Sequence, residues 1–163
     1  MDHLWTPWRY QYIAGAKPDN GCIFCAKPAE DNDEANLIVH RAAHNFVILN
    51  LFPYNSGHLM VVPYAHLATL EAAPAETAAE LFSLTRHCEA LLRRLYRAEG
   101  VNLGMNIGAC AGAGIAGHIH MHVVPRWTGD ANFMSTIGET RVIPEELATT
   151  WRRLRDAWNG RSA

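Results

Sequence analysis

At 163 residues, with 49% hydrophobic and 18% charged residues, the chain is long enough for one domain with a sizeable core and has an ordinary globular composition. A net charge of −2 announces neither a nucleic-acid surface nor a basic membrane patch, and no apolar run approaches the ~18 residues of a membrane span. The opening Met1–Tyr10 is aromatic, broken by charge and Pro7, and lacks the apolar stretch of a signal peptide, so the cytoplasm is the expected location, with no nucleic-acid or membrane partner.

Residues 1–35 read as an N-terminal arm. Its clearest chemical pattern is Cys22-Ile-Phe-Cys25, a spacing shared by zinc thiolates and redox motifs. A redox pair is expected at a helix start inside a strand–helix–strand unit, and no strand precedes this one, so redox chemistry is disfavoured. Zinc needs two more ligands from elsewhere, because no second such pair exists. After a polar turn at Pro28–Glu34, short strands are predicted at Leu37–His40 and Asn45–Asn50. A turn-rich loop at Leu51–Gly57 follows, then a strand at His58–Val62 stopped by Pro63. Leu81, Leu84, Cys88, Leu91, Leu92 and Leu95 recur at helical spacing, which predicts a helix from Pro74 to about Ala98, with Pro74 in its first turn and Gly100 ending it. Cys88 reads as a core residue of that helix. Val101–Asn106 returns to strand, and a glycine-rich loop, Gly104–Gly117, follows; Cys110 is a small residue within it. In the tail, Pro144-Glu145-Glu146 predicts an acidic first turn, and Leu147, Trp151, Leu154 and Trp158 the buried stripe of a last helix. No repeat, linker or low-complexity tract appears. The expectation is a single α+β domain on an antiparallel sheet, with a core at 36–127 and a C-terminal extension at 128–163.

The densest signal lies at Gly117-His-Ile-His-Met-His-Val-Val-Pro125, where His118, His120 and His122 alternate with Ile119, Met121 and Val123. A period of two predicts a strand with one apolar and one imidazole face, its alternate side chains roughly 6.6 Å apart. Three readings compete: a solvated strand face, a metal site, and an imidazole that attacks phosphorus. An all-histidine metal site needs a further ligand, and no carboxylate follows His122 before Asp130. The glycine loop, able to bring backbone N–H groups against an anion, favours phosphorus chemistry.

At His118-Ile-His-Met-His-Val-Val124 the sequence resembles the histidine triad family of nucleotide hydrolases and transferases. The longer string Ala111–Trp127, then Gly129–Phe133, and the opening Leu4–Arg9 resemble a bacterial subgroup that includes diadenosine tetraphosphate phosphorylases. The resemblance implies a five-stranded antiparallel half-sheet with a long helix, paired in a homodimer into ten strands. It implies that His120 attacks the α-phosphorus of a nucleotide to give a nucleotidyl-histidine, which water or phosphate resolves. His122 is then the partner of the phosphate oxygens or leaving group, and the loop N–H groups around Gly114 and Ile115 stabilise charge. By the same resemblance Asn50 contacts the ribose, His58 of the Gly57-His58 pair supports the site from a neighbouring strand, and Asn106 faces the phosphate.

Zinc-bearing members of the family imply a ligand set of Cys22, Cys25, His66 and His118. Four ligands leave no open position, so this zinc is expected to be structural. The favoured activity is nucleotidyl transfer from a dinucleoside polyphosphate, diadenosine tetraphosphate first, with phosphorolysis ahead of hydrolysis. Competing expectations are a hydrolase of nucleoside phosphoramidates, a zinc hydrolase liganded by all three triad histidines, and a nucleotide-binding regulator without chemistry.

Overall fold

The computed structural model describes residues 21–131 and 145–161. A short helix α1 (Ile23–Ala29) leads into strands β1 (Ile38–Arg41), β2 (Asn45–Leu49) and β3 (Leu59–Pro63). The long helix α2 (Ala75–Tyr96), strand β4 (Gly100–Gly104), a one-turn 3₁₀ helix at Ala109–Ala111, strand β5 (Met121–Arg126) and helix α3 (Leu147–Trp158) follow. The strands form one antiparallel sheet in the order β1-β2-β3-β5-β4, so the fold is α+β, as expected. Among the described residues no helix is long and apolar enough to cross a membrane.

β2 and β3 are buried on both faces, which their unbroken apolar runs Phe46–Leu49 and Leu59–Val62 require. Alternate residues divide between two cores. Val47, Leu49, Leu59 and Val61 join Leu81, Cys88, Leu91 and Leu92 of α2 and Leu154 of α3 on one face. Phe46, Ile48, Met60 and Val62 join Phe24 of α1 on the other. Cys88 is fully buried among apolar neighbours, and that burial pushes its thiol well above the ordinary range, as suits an inert core residue.

Several boundaries differ from the sequence reading; β3 runs through Pro63 instead of stopping before it, and β4 ends at Gly104. The histidine run is not all strand: β5 starts at Met121, so His118 and His120 precede it. The reason is Pro63, whose carbonyl accepts from the His118 ring instead of pairing with a neighbouring strand's backbone. Ile119 N–H accordingly turns to Leu67 O, at 2.7 Å. The facing still alternates: Met121 and Val123 belong to the first core, whereas the His118 and His120 rings pack on Phe24 of the second. Gly100 does not end α2; Arg97 does, in the left-handed conformation at φ 51°, because Glu99 N–H is already bonded to Arg126 O at the sheet edge. Gly100 opens β4 instead. Pro74 is the N-cap rather than a first-turn residue. Glu145 and Glu146 stand just before α3, where Glu145 accepts from Tyr96, Thr150 and Arg153. Pro144, the Trp5/Trp8 arm and Asn132–Phe133 lie outside the described residues.

Candidate functional site

The site lies on the sheet face opposite α2. A cavity of about 430 Å³ opens there, within the range of small-ligand sites. Met60 of β3 sets its floor, α1 supplies Phe24 as a wall, and Asn50, Asn106, Gly114, Ile115, His120 and His122 all line it. Every nucleotide-binding and triad candidate except His118 therefore reaches one space. His58 sits just behind, fully buried, and acts on the cavity through His122.

His120 is 5% exposed, and its Nδ1–H donates to the His118 carbonyl at 2.9 Å. That bond assigns the proton to Nδ1 and leaves the Nε2 lone pair available. Burial lowers the His120 pKa, against the opposing pull of the His118 carbonyl, and so favours the neutral ring a nucleophile needs. The Phe24 ring packs 4.9 Å from the His120 ring, centroid to centroid, limiting its rotation.

A second proton chain is fixed by a backbone donor. Tyr54 N–H can only donate, and it lies 3.2 Å from His58 Nδ1, with Asn50 Nδ2 at 3.3 Å. His58 Nδ1 is therefore an acceptor, and its proton sits on Nε2. His58 Nε2–H then donates to His122 Nδ1 at 2.9 Å, which makes Nε2 the protonated nitrogen of a neutral His122. The His120 and His122 rings are 4.8 Å apart and nearly perpendicular. A bare nitrogen and a protonated one thus stand side by side, suited to attack on a centre and donation to an oxygen on it.

Asn50 spends its Oδ1 on Phe52 N–H, and Asn106 donates to Gly112 O across the glycine loop. Gly108 and Gly112 take φ of 86° and 87°, conformations that favour glycine and turn the loop over the cavity.

Beyond the cavity, Cys22, Cys25, His66 and His118 converge, with their ligand atoms within 4.8 Å of one another. Cys22 is the N-cap of α1 and Cys25 lies three residues on, so both sulfurs fall on one side. The pair does stand at a helix start, but what decides its chemistry is the two imidazoles facing it. His118 Nδ1 is 3.3 Å from Cys22 Sγ and 3.6 Å from Cys25 Sγ, and His66 Nδ1 is 3.4 Å from Cys25 Sγ. A tetrahedral zinc with Zn–S near 2.3 Å and Zn–N near 2.05 Å requires S···N edges of about 3.6 Å. The donor set fits the ion. His118 Nε2–H donates to Pro63 O at 2.9 Å, turning the Nδ1 lone pair toward the sulfurs. Burial and the neighbouring Cys22 raise the Cys25 pKa, a cost that a cation between the two sulfurs relieves. The three triad histidines do not form such a group: among the described residues the Cys22, Cys25, His66 and His118 cluster is the one with this geometry.

Several residues of the site escaped the sequence reading. Phe24, Lys27 and Leu37 line the cavity, and Tyr54 orders His58. Phe24 and Lys27 were findable once Ile23–Ala29 was seen as a helix, because i and i+3 share a face. Leu37, in a left-handed conformation at φ 60°, left no signal in the sequence.

Comparison with known proteins agrees with this geometry. The HIT domain model matches residues 32–129. A Mycobacterium tuberculosis protein named AP-4-A phosphorylase, in strains CDC 1551 and H37Rv alike, is 41% identical over 97% of this chain and 85% of its own. A zinc-bound histidine triad family protein from Mycobacterium smegmatis superposes with a TM-score of 0.70 at 30% identity, over 86% of this chain and 94% of that one. A hypothetical histidine triad nucleotide-binding protein from Sulfolobus tokodaii shares the fold alone, with a TM-score of 0.67 at 24% identity over 85% and 93% of the two chains. With its triad, its cavity and these likenesses together, the chain belongs to the HIT domain family.

Proposed function

We propose that the protein transfers a nucleotidyl group from a dinucleoside polyphosphate, diadenosine tetraphosphate among them, to inorganic phosphate through a covalent adduct on His120. The observation that carries this reading is the His120 Nδ1–H bond to the His118 carbonyl, which leaves Nε2 as a bare nucleophile at the cavity. The likeness to a protein named AP-4-A phosphorylase supports the substrate class. His120 Nε2 attacks the α-phosphorus, the P–N bond forms, and the bond from that phosphorus to the bridging oxygen breaks, expelling ATP. His122, its Nε2 protonated through His58, donates to the departing oxygen. Phosphate then attacks the adenylyl group, releasing ADP and restoring His120. N–H groups of the loop near Gly114 and Ile115 stabilise the charge on phosphorus.

Zinc at Cys22, Cys25, His66 and His118 is structural in this reading: bound there, the ion supplies a cross-link between α1 and the segment that carries the nucleophile. His118 holds the ion and, through its carbonyl, the proton of His120. The protein works as a cytoplasmic homodimer, a state supported by the open edge of β4, where Leu103 is 49% exposed. Product chromatography tests the reaction. ADP plus ATP formed only with phosphate is the expected result; AMP plus ATP without phosphate replaces phosphorolysis by hydrolysis. No turnover of diadenosine tetraphosphate overturns the substrate assignment, and full activity in H120N overturns the nucleophile.

A further inference from the structure

The cavity has one feature that nucleotidyl chemistry does not use. Lys27 is the sole lysine or arginine among the described residues lining it. It lies on α1 one turn beyond Ile23 and Phe24, and Phe24 is the residue packed on His120. Three residues of helix carry Lys27 about 4.5 Å along the axis, away from the His118 end. The lining it joins is largely apolar, with Leu37 and Ile48 part of it. The glycine loop and the two triad histidines of the cavity mark the phosphate end; Lys27 instead contacts Asn36, just before β1, and β2 and β3 stand between β1 and the β5 that carries His122, so Lys27 belongs to the far, base-binding end.

The amine is also aimed. Glu30 accepts from Asn36 Nδ2 at 2.8 Å, which turns the Asn36 Oδ1 toward Lys27, and Lys27 Nζ donates to it at a long 3.5 Å. Asn36 is 7% exposed, so this support is fixed in the wall. A lysine has three N–H donors and no acceptor. With one spent on Asn36, two remain for whatever occupies the apolar end. That occupant has to present acceptors. Guanine offers adjacent acceptors at O6 and N7, whereas adenine keeps N7 but puts an amino donor at position 6.

We propose that Lys27 is a specificity-determining residue that reads the 6-position of the purine and tilts this site toward 6-oxopurine nucleotides over adenine nucleotides. The inference rests on the nucleotide-binding reading above. Diadenosine compounds remain substrates; in a mixed dinucleotide the guanosine half takes this cavity first.

Calorimetric titration of zinc-loaded protein with AMP, GMP and IMP, for wild type, K27M and K27R, tests it. IMP carries O6 and N7 without the 2-amino group, so it isolates the acceptor edge. Wild type is expected to bind GMP and IMP roughly fivefold tighter than AMP, the worth of about one hydrogen bond. K27M keeps the apolar stem and is expected to bring the three within twofold, while K27R restores the preference. Adenosine-guanosine tetraphosphate gives a second readout that is independent of overall rate: wild type forms GDP plus ATP in excess over ADP plus GTP, and K27M evens that ratio. An unchanged ratio in K27M, or equal weakening of all three nucleotides, overturns the role of Lys27 while leaving the nucleotide site standing. Failure of every nucleotide to bind overturns both.

Discussion

Removing His58 is the sharpest test of the proton chain behind the triad. His58→Leu preserves size but deletes an acceptor for Tyr54 N–H and Asn50 Nδ2 and the donor to His122. A buried group left without its partner costs about 1–3 kcal/mol, so three full penalties reach about 9 kcal/mol. Tyr54 and Asn50 are only half-buried and can turn to water, which brings the expected loss down to about 3 kcal/mol. In a domain of this size that lowers Tm by roughly 6–12 °C. Turnover should fall further than stability implies. A positioned donor contributes about 10²–10⁴ to a rate, and a His122 free to swap tautomers forfeits part of it, so kcat is expected to drop about 10- to 100-fold with KM little changed. His58→Gln, which can still donate and accept, should recover much of both. The decisive readout is nitrogen-15 NMR of the His122 ring: Nε2–H alone in the wild type, a mixture in His58→Leu. A wild-type His122 protonated on Nδ1, or a His58→Leu protein with native Tm and kcat, would refute the reasoning.

Other perturbations follow from the same geometry. Chelation, or Cys25→Ser, should remove one zinc per chain by elemental analysis and unfold α1 from the cavity wall, with activity lost slowly in step with a falling Tm; instant, reversible loss would point instead to a metal acting on substrate. Asp130, bonded chiefly by Arg126 and also by Trp127 N–H and Asn55, has its pKa lowered from 3.8 to about 2. A depressed carboxylate contributes stability above its unfolded pKa that disappears as pH falls from about 4 through 2. At about 1.36 kcal/mol per pH unit the difference is about 2.4 kcal/mol, which screening reduces to about 1 kcal/mol, because the Arg126 side chain is 43% exposed. Urea titrations should therefore show Asp130→Asn less stable than wild type at pH 6 and converging with it near pH 2. Gly57→Ala should cost about 1–3 kcal/mol, since φ is +82° there and the new Cβ meets Leu92 Cδ2 at 3.1 Å. Because Gly57 delivers His58, kcat should fall with Tm in thermal melts and steady-state assays of the same preparation.

Local pattern made much of this protein legible. The alternation around His118, His120 and His122 announced two-faced placement, and the leucine spacing announced α2, because strand and helix periods are written in nearest-neighbour geometry. The likeness of the triad to a known family carried the site residues further than spacing alone. What local pattern could not decide was where backbone bonds go. Pro63 gives its carbonyl to an imidazole 55 residues away, and so β5 begins at Met121 rather than Gly117. The tautomers of His58 and His122 depend on a single amide, Tyr54 N–H, whose direction only the folded loop sets. Cys22 and Cys25 by their spacing suit a metal or a redox pair and name no further ligand; His66 and His118 join them because the fold closes separations of 41 and 93 residues from Cys25. Lys27 is one charge among 30 in the chain, and it became a candidate reader of the base only when α1 turned it into an apolar cavity. Periodicity is a property of the chain, whereas convergence of distant donors is a property of the packed fold.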